Sequence, residues 1–504
     1  MSSLHTSSHP AVRASGARRW LVLAVVSVAL LLIVIDMTVL YTALPRLTHD
    51  LAATASAKLW IVNAYALVVS GLLLGMGTLG DRLGHKQLFL AGLAVFGAAS
   101  LAAAFAPSAN VLIAARGFLG VGAAMMMPAT LSLIRLTFAD SHEQALAIGI
   151  WASVASGGAA FGPILGGALL EHFWWGSVFL INVPIVLIAL PLAWWLIPKG
   201  AATSKQPWDW FGSLLFMVGL IGVTYAIKSA GKISPDWATV GIAALVGVVF
   251  LWAFVKRQQR SVHPLLDFTL FRSPVFALAV AAALMAAAAL IGMQLVFSQR
   301  LQLVMGYSPL EAGLAGMPLS LAAFVAGPIA GRMLPRMGSP RLLSIALTMS
   351  AAGMGGYLFL RDAHFMLWAL ALVVLGLGVG ATMTAASSTI MQSAPRERAG
   401  MAASVEEVSY ELGGALGVTF MGSLLTFVYG RAMDVPQVAT LPDTVRDSLD
   451  EAQLVAERLP PGMADALTSL SHAAFNQGFD AVIGAGALLL LATALWGRWH
   501  ARRR

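Results

Sequence analysis

The 504-residue chain contains no cysteine, and only 11% of its residues are charged. The first absence excludes disulfides, thiolate metal sites and a cysteine nucleophile, and leaves the compartment open. The second, joined to 59% hydrophobic residues and a mean hydropathy of +0.81, is far from the ~25% charged and ~45–50% apolar make-up of soluble domains. Chemistry-bearing motifs are missing too. There is no GxGxxG following a strand, no Walker loop and no nucleophile elbow, so nucleotide hydrolysis is not the energy source and no enzyme activity is expected. The ten histidines lie mostly in loops or near helix ends without metal-ligand spacing, and no metal or other cofactor is expected.

What is present is apolar length. Fourteen stretches reach the ~20 residues that an α-helix needs to cross the hydrocarbon layer. They run over 20–44, 59–79, 88–106, 110–134, 145–168, 175–197, 210–227, 238–255, 275–298, 312–331, 342–360, 365–390, 399–428 and 477–497. The chain therefore reads as an all-α, multi-pass membrane protein. Arg18-Arg19 ahead of the first stretch is not an export signal, because the stretch exceeds a 7–15-residue signal core and contains Asp36.

Basic residues accumulate on the cytoplasmic side of membranes. With both termini cytoplasmic, the inner segments hold 21 of the 31 Lys and Arg, the outer segments hold 9, and Arg116 alone falls within a span. That asymmetry sets the expected orientation. It also accounts for the net charge of +8 without a nucleic-acid partner. One long outer loop, 431–476, carries Asp434, Asp443, Asp447, Asp450, Glu451, Glu457 and Asp465 against Arg446 and Arg458. It reads either as a solvated amphipathic flap or as a negative surface that concentrates cations near an outer gate.

The chain also repeats itself. Gly77-Thr-Leu-Gly-Asp81-Arg82-Leu-Gly84-His-Lys86 follows the second stretch, and Gly331-Arg-Met-Leu-Pro335-Arg336-Met-Gly338 follows the tenth. Equal loops at equal places in halves of equal orientation indicate a parallel duplication of a six-helix unit. Two further spans, 210–227 and 238–255, then separate the halves. The expected division is a tail over 1–19, a bundle over 20–197, a linker with the two extra spans over 198–256, a bundle over 257–497 and a basic tail over 498–504. Within the fifth stretch, GIWASVASGGAAFGPILGG places Gly149, Gly158, Gly162, Pro163, Gly166 and Gly167 where a soluble helix would be destabilised. In a membrane such residues permit close packing and bending.

On these motifs the chain resembles the major facilitator superfamily, and within it the fourteen-helix drug:proton antiporters that export quaternary ammonium compounds and methyl viologen. GTLGDRLGHK (77–86) resembles the superfamily's loop motif, LIAARGFLGVG (112–122) its fourth-helix arginine motif, and 149–167 its antiporter motif. IDMTVLYTALP (35–45) and WGSVFLINVP (175–184) are similar to signatures of the fourteen-helix group. Departures are Leu119 where the arginine motif often has glutamine, Gly176-Ser177 in place of Arg-Trp, and Pro335 where the first loop has Asp81. The resemblance implies two six-helix bundles plus two additional central helices in the plasma membrane. It further implies export of hydrophobic cations driven by the proton motive force, with Gly77, Asp81, Arg82, Gly84 and Lys86 as a gating loop. A proton-coupled importer or symporter, or a membrane sensor or scaffold, would share some of these features. No partner other than lipid, protons and small cations is expected, and the chain is taken as a monomer.

Ionisable groups within spans are costly, ~2.5–3.5 kcal/mol each on insertion scales, and so are functional candidates. They are Asp36, Arg116, Glu406, Glu407 and Glu411. At ~1.5 Å per residue Asp36 lies ~24 Å above Trp20, while Glu407 and Glu411 lie ~12 and ~18 Å above Ala399. Asp36 reads either as a carboxyl that alternately holds a proton and a cation, or as part of a pair that only fixes packing. Glu407 and Glu411 share a helix face, whereas Glu406 falls on the stripe of Tyr410, Gly413 and Gly417. That glycine stripe is expected to pack on another helix, and Glu406 could simply face water. Three acids this close repel, so the cluster can carry protons. Arg116 needs a buried partner. It reads as a static pair or, by resemblance, as a charge that helps Asp36 release its proton. Trp60, Tyr65 and Tyr410 are candidate aromatic walls for a cation, or else core and interface residues.

Overall fold

The computed structural model describes residues 16–51, 55–198, 208–230, 236–262, 264–395, 398–433, 442–446 and 449–502. Backbone in hydrocarbon has no water to bond, so each apolar stretch closes its own hydrogen bonds as a helix. The first half comprises α1 (Gly16–Asp50), α2 (Ala55–Leu83), α3 (His85–Ala104), α4 (Ala109–Thr137), α5 (Ser141–His172), α6 (Ser177–Leu180) and α7 (Asn182–Leu196). Then come α8 (Trp210–Ala230) and α9 (Trp237–Arg260). The second half comprises α10 (Pro274–Gln299), α11 (Pro309–Met337), α12 (Ser339–Leu360), α13 (Phe365–Ser393), α14 (Ala399–Ala432), α15 (Leu449–Ala456) and α16 (Pro461–Arg502).

Twelve helices are long and apolar enough to cross a membrane among the described residues, thirteen when the bent α5 counts as one span. Between Ser141–Ala159 and Ile164–His172 its axis turns by 43°. Gly162 and Pro163 sit in that break, and the side chain of Pro163 lies outside the described residues. The thirteenth expected span corresponds to α14, whose 34 residues exceed the length requirement but include three glutamates. α6 and α7 adjoin at Ile181, which keeps helical backbone angles, so Ser177–Leu196 counts as one span although Pro184 has no N–H to give to the Leu180 carbonyl.

In the first bundle α3 and α2 pack on α4, α1 on α5, and α7 on α3 and α1. The second has α13 between α11 and α12, α10 on α14, and α16 on α12. The bundles meet along α5–α11 and α2–α14. Central in the chain, α8 and α9 are peripheral in space: they pair with each other, and α8 rests on α2 and α14. On α9 the apolar side chains of Trp237, Ile242, Leu245 and Trp252 are exposed, as on a helix facing lipid. The pair is tied at its base by Asp209. Its carboxylate accepts from Arg257 at 2.8 Å, Gln258 at 3.1 Å and the Gly212 amide at 2.9 Å.

Arg18, Arg19, Lys86, Glu143 and the end of α7 share one face of the bundle, called basal below. Arg18 donates to the carbonyls of Leu196 and Trp195, Arg19 pairs with Glu143, and Lys86 Nζ donates to the carbonyls of Trp194 and Ile197. On the other face, α15 and residues 442–446 form part of the expected acidic loop. Tyr429 donates to the Val445 carbonyl and Gln453 to that of Leu303. Asp434 and Asp447 lie outside the described residues, as do the side chains of Asp443, Asp450 and Glu451.

Arg116 is not the sole buried arginine. Arg300, read from the sequence as lying just past a span, is 4% exposed. It pairs with Asp362 at 2.5 Å, donates to Asn476 at 3.1 Å and lies over the Phe479 ring at 5.4 Å.

Candidate functional site

The first half builds one closed cluster around Asp36. α1 carries this acid about 20 residues, in the sixth turn, from its basal end, among apolar neighbours that leave it 2% exposed. Arg116 of α4 donates to its Oδ2 at 2.6 Å, with 2% or less of either side chain accessible. The same guanidinium donates to the Ile61 carbonyl at 3.2 Å and lies 4.6 Å from the centre of the Tyr65 ring. Each of its polar faces is thus met by an acceptor or a π-cloud, as a buried arginine requires. The expected proximity of Arg116 to Asp36 is a direct ion pair. Asn182, in the first turn of α7, reaches the other carboxylate oxygen: its Nδ2 donates to Asp36 Oδ1 at 3.3 Å and to Ser100 Oγ at 3.2 Å. Asn182 lay within the WGSVFLINVP signature, but sequence reasoning assigned it no role. Its place within an apolar span is the signal that could have found it, since a polar side chain buried there needs a partner.

The second half buries its acids differently. Glu406 is 0% exposed and Glu407 is 4% exposed, so neither faces water, and the reading of Glu406 as a solvated helix-end acid is corrected. Glu406 does lie on the stripe that packs: Gly413 and Gly417 meet α10 so closely that a Cβ on either would stand 2.3 or 2.2 Å from the Leu284 or Ala288 carbonyl oxygen. That packing turns Glu406 toward α13, where Ser387 donates to its Oε1. Its Oε2 and the Oε1 of Glu407 have no hydrogen-bond partner, and neither do the buried hydroxyls of Tyr65, Thr384 and Ser388. Tyr410 donates to the Met383 carbonyl at 3.3 Å. Glu411 is half-buried. No Lys or Arg pairs with any of the three acids among the described residues.

Tyr65, whose ring centre lies 4.6 Å from the Arg116 guanidinium, is also within electrostatic range of Asp36, Glu407 and Glu411. Trp60 does not join them. It is 52% exposed near the start of α2, an aromatic at the surface instead of a wall of the buried cluster.

The residues of the expected gating loop bridge the two halves. Asp81 Oδ1 accepts from His85 Nε2 and from the Gly400 amide in the first turn of α14, both at 3.0 Å. An acid at a helix N-terminus is favourable because free amides and the helix dipole concentrate positive potential there. Gly84 turns the chain with φ of 94°, a conformation that disfavours a Cβ. Lys86 ties α3 to the end of α7, as above, and Arg82 is exposed. A Cβ on Gly77 would stand 2.2 Å from the Gly400 carbonyl oxygen, so the helices touch by backbone. Ser404 donates to the Leu73 carbonyl at 2.8 Å, and Arg135 donates to the carbonyls of Ala394 and Pro395. The basal face is therefore shut across both halves.

The glycine helix contributes the other crossing. Gly149 meets Gly327, where a Cβ would stand 2.4 Å from a carbonyl oxygen, and Ser153 donates to the Phe324 carbonyl at 2.5 Å. Gly158 and Gly162 instead seat α5 on α1, against Leu31, Val34 and Thr38. Gly166 is buried, and Gly167 faces open space.

A family profile described as Major Facilitator Superfamily matches residues 26–418. The methyl viologen resistance protein SmvA of Salmonella typhimurium is 38% identical over 486 residues, covering 95% of this chain and 98% of that protein. The multidrug efflux pump LfrA of Mycolicibacterium smegmatis is 40% identical over 488 residues, covering 96% and 97%. Among solved structures, the human organic anion transporter MFSD10 superposes with a TM-score of 0.63 at 12% identity, over 95% of this chain and 99% of that one. The proton:xylose symporter XylE superposes with 0.61 at 14%, over 97% and 96%. An anion transporter and a sugar symporter sharing this architecture show that the fold alone does not choose the solute.

Proposed function

The chain belongs to the Major Facilitator Superfamily, and from that premise we propose that it is a drug efflux pump of the plasma membrane, exchanging hydrophobic cationic compounds for protons. The relatives carry the first part: one is named for resistance to methyl viologen, an organic dication, and the other as a multidrug efflux pump. α14 is taken as the fourteenth span. The basal face is taken as cytoplasmic, with both termini there, because the basic residues favour that side. One chain supplies both halves of the site, so the monomer is the proposed transport unit.

The observation that carries the proton coupling is the second-half acid cluster. Glu406 and Glu407 are buried with one carboxylate oxygen each unpartnered and no cation beside them among the described residues. Burying an uncompensated carboxylate costs several kcal/mol, so such a group holds a proton or a cation from outside. Both cannot occupy it at once, and this competition is the exchange. A cation entering from the cytoplasm displaces the proton; on the outer side, protons displace the cation. Glu407 and Glu411, one turn apart on one face, supply two charges to an organic cation, with the Tyr65 ring in electrostatic range. Asp36, paired with Arg116, is the second acid open to the transported proton. Release of the Asp81–Gly400 latch and the Gly149–Gly327 crossing opens the cytoplasmic side.

Purified protein in proteoliposomes tests the proposal. An imposed pH gradient is expected to drive tetraphenylphosphonium against its concentration gradient, and protonophore to abolish this. Accumulation that is indifferent to the pH gradient, or that survives at wild-type level in Asp36→Asn, Glu407→Gln and Glu411→Gln alike, would sink it.

A further inference from the structure

Asn182 is fully buried, and its carbonyl Oδ1 has no hydrogen-bond partner. Both hydrogens of its amide are in use, one on Asp36 and one on Ser100. Around Asp36, then, every neighbouring polar group is arranged for an ionised carboxylate. Arg116 donates to Oδ2 from α4, Asn182 donates to Oδ1 from α7, Ser100 of α3 backs the amide, and Tyr65 of α2 lies on the far side of the guanidinium.

A proton arriving at this acid has few places to sit. On Oδ2 it would point at Arg116, which has no acceptor and does not deprotonate. On Oδ1 it would point at the Asn182 amide, which in its present orientation is also a donor. A side-chain amide, unlike an arginine, is reversible. A half-turn about its terminal torsion exchanges the NH2 and the carbonyl, which are nearly equal in size. Ser100 is reversible in the same way, because a hydroxyl both donates and accepts.

We propose that Asn182 is the positioning residue for the transported proton. Its amide donates to the Asp36 carboxylate in the state seen here and, after a half-turn, accepts from the Asp36 carboxylic acid, with Ser100 reversing alongside. The proton comes from water on one side of the membrane, resides on Asp36 Oδ1 and returns to water on the other. Asn182 and Ser100 neither gain nor lose one, and the Arg116 pair to Oδ2 stays intact throughout. The place of Asn182 in the first turn of α7, which packs on α1 and α3, brings the amide to this position. The inference rests on the proton-exchange reading above.

Its test compares two movements of the same probe, tetraphenylphosphonium, by the full-length protein in proteoliposomes. Counterflow at equal pH needs the cation site only, whereas uphill accumulation needs the proton cycle. In Asn182→Leu, similar in size but unable to donate or accept, accumulation is expected to fall about tenfold or more, with counterflow within about twofold of wild type. Asn182→Ser, which can both donate and accept, is expected to recover most of the loss. Asn182→Ala replaces the leucine variant if that protein does not fold. Wild-type accumulation in the leucine or alanine variant overturns the assignment. So does counterflow that falls in parallel, or a folded serine variant as defective as leucine. If the wild-type protein itself does no pH-driven accumulation but retains counterflow, the proton-exchange reading fails and this inference with it.

Discussion

The two halves of the molecule bury carboxyl groups in opposite ways. Asp36 is held on both oxygens, by Arg116 and by Asn182, and its cluster is electrically balanced. Glu406 and Glu407 keep unpartnered oxygens, and no Lys or Arg pairs with them among the described residues. A paired acid stabilises a geometry, whereas an unpaired one demands an occupant. One half thus holds an acid whose neighbours satisfy it while it is ionised, and the other a site that is complete only with a proton or a cation in it.

The sharpest way to break that contrast is to neutralise one acid on each side. Asp36→Asn strands a buried guanidinium and is expected to cost about 3–5 kcal/mol of stability, together with coupling. Asp36→Asn combined with Arg116→Leu should recover much of the thermal stability in detergent, while coupling stays lost. Glu407→Gln removes a charge that has no partner. It should leave the unfolding temperature unchanged or higher, yet reduce pH-driven transport about tenfold or more. If the two single variants destabilise equally, the halves do not differ as described.

The interface between the halves gives a smaller effect. Gly149→Ala puts a methyl 2.4 Å from the Gly327 carbonyl oxygen, and the crossing must open, at about 1–3 kcal/mol. Gly167→Ala meets open space and should be neutral or slightly stabilising, by up to ~1 kcal/mol. Transport and unfolding temperature measured on both variants separate crossing glycines from spare ones. Asp81→Asn keeps the hydrogen-bond geometry to Gly400 but removes the charge at the α14 terminus. A spin-label distance across the basal face should show the closed population falling by a few-fold, about 1 kcal/mol.

The smallest expected effect is outside both halves, at the base of the α8–α9 pair. Burial pushes the Asp209 carboxyl up, but the hydrogen bonds from Arg257, the Gly212 amide and Gln258 outweigh it and hold the group below its ordinary 3.8. An acid so depressed contributes stability above its unfolded value and loses it as pH falls through the folded one. Asp209→Asn should therefore flatten the pH dependence of unfolding only below about pH 4, without altering coupling at neutral pH.

Much of this was legible in the chain. Helix length in hydrocarbon follows from composition, because unpaired backbone cannot persist there. The bend at Gly162-Pro163 and the packing role of Gly413 and Gly417 follow from residues with no side chain in the way or no amide to give. Each buried charge within an apolar stretch stands out by its cost. Arg300 escaped because it sits where a span ends, and a charge at such a place looks solvated until α12 and α16 are seen to enclose it. Trp60 shares its aromatic chemistry with Tyr65, but not its place. Five residues along a helix turn a side chain through about 140° beyond one full revolution, and only the neighbours decide which of the two faces lipid.

The sequence by itself determined that this is a duplicated helical membrane protein with a handful of costly charges, because hydrophobicity, glycine spacing and repeat register are local properties. Which charge meets which was decided only by tertiary structure. Arg116 and Asn182 lie 80 and 146 residues from Asp36 in the chain, and no local rule links them. Helix packing aims them at one another and leaves Glu406 and Glu407 without an equivalent, because an ion pair depends on a few ångströms of separation that only the assembled bundles fix.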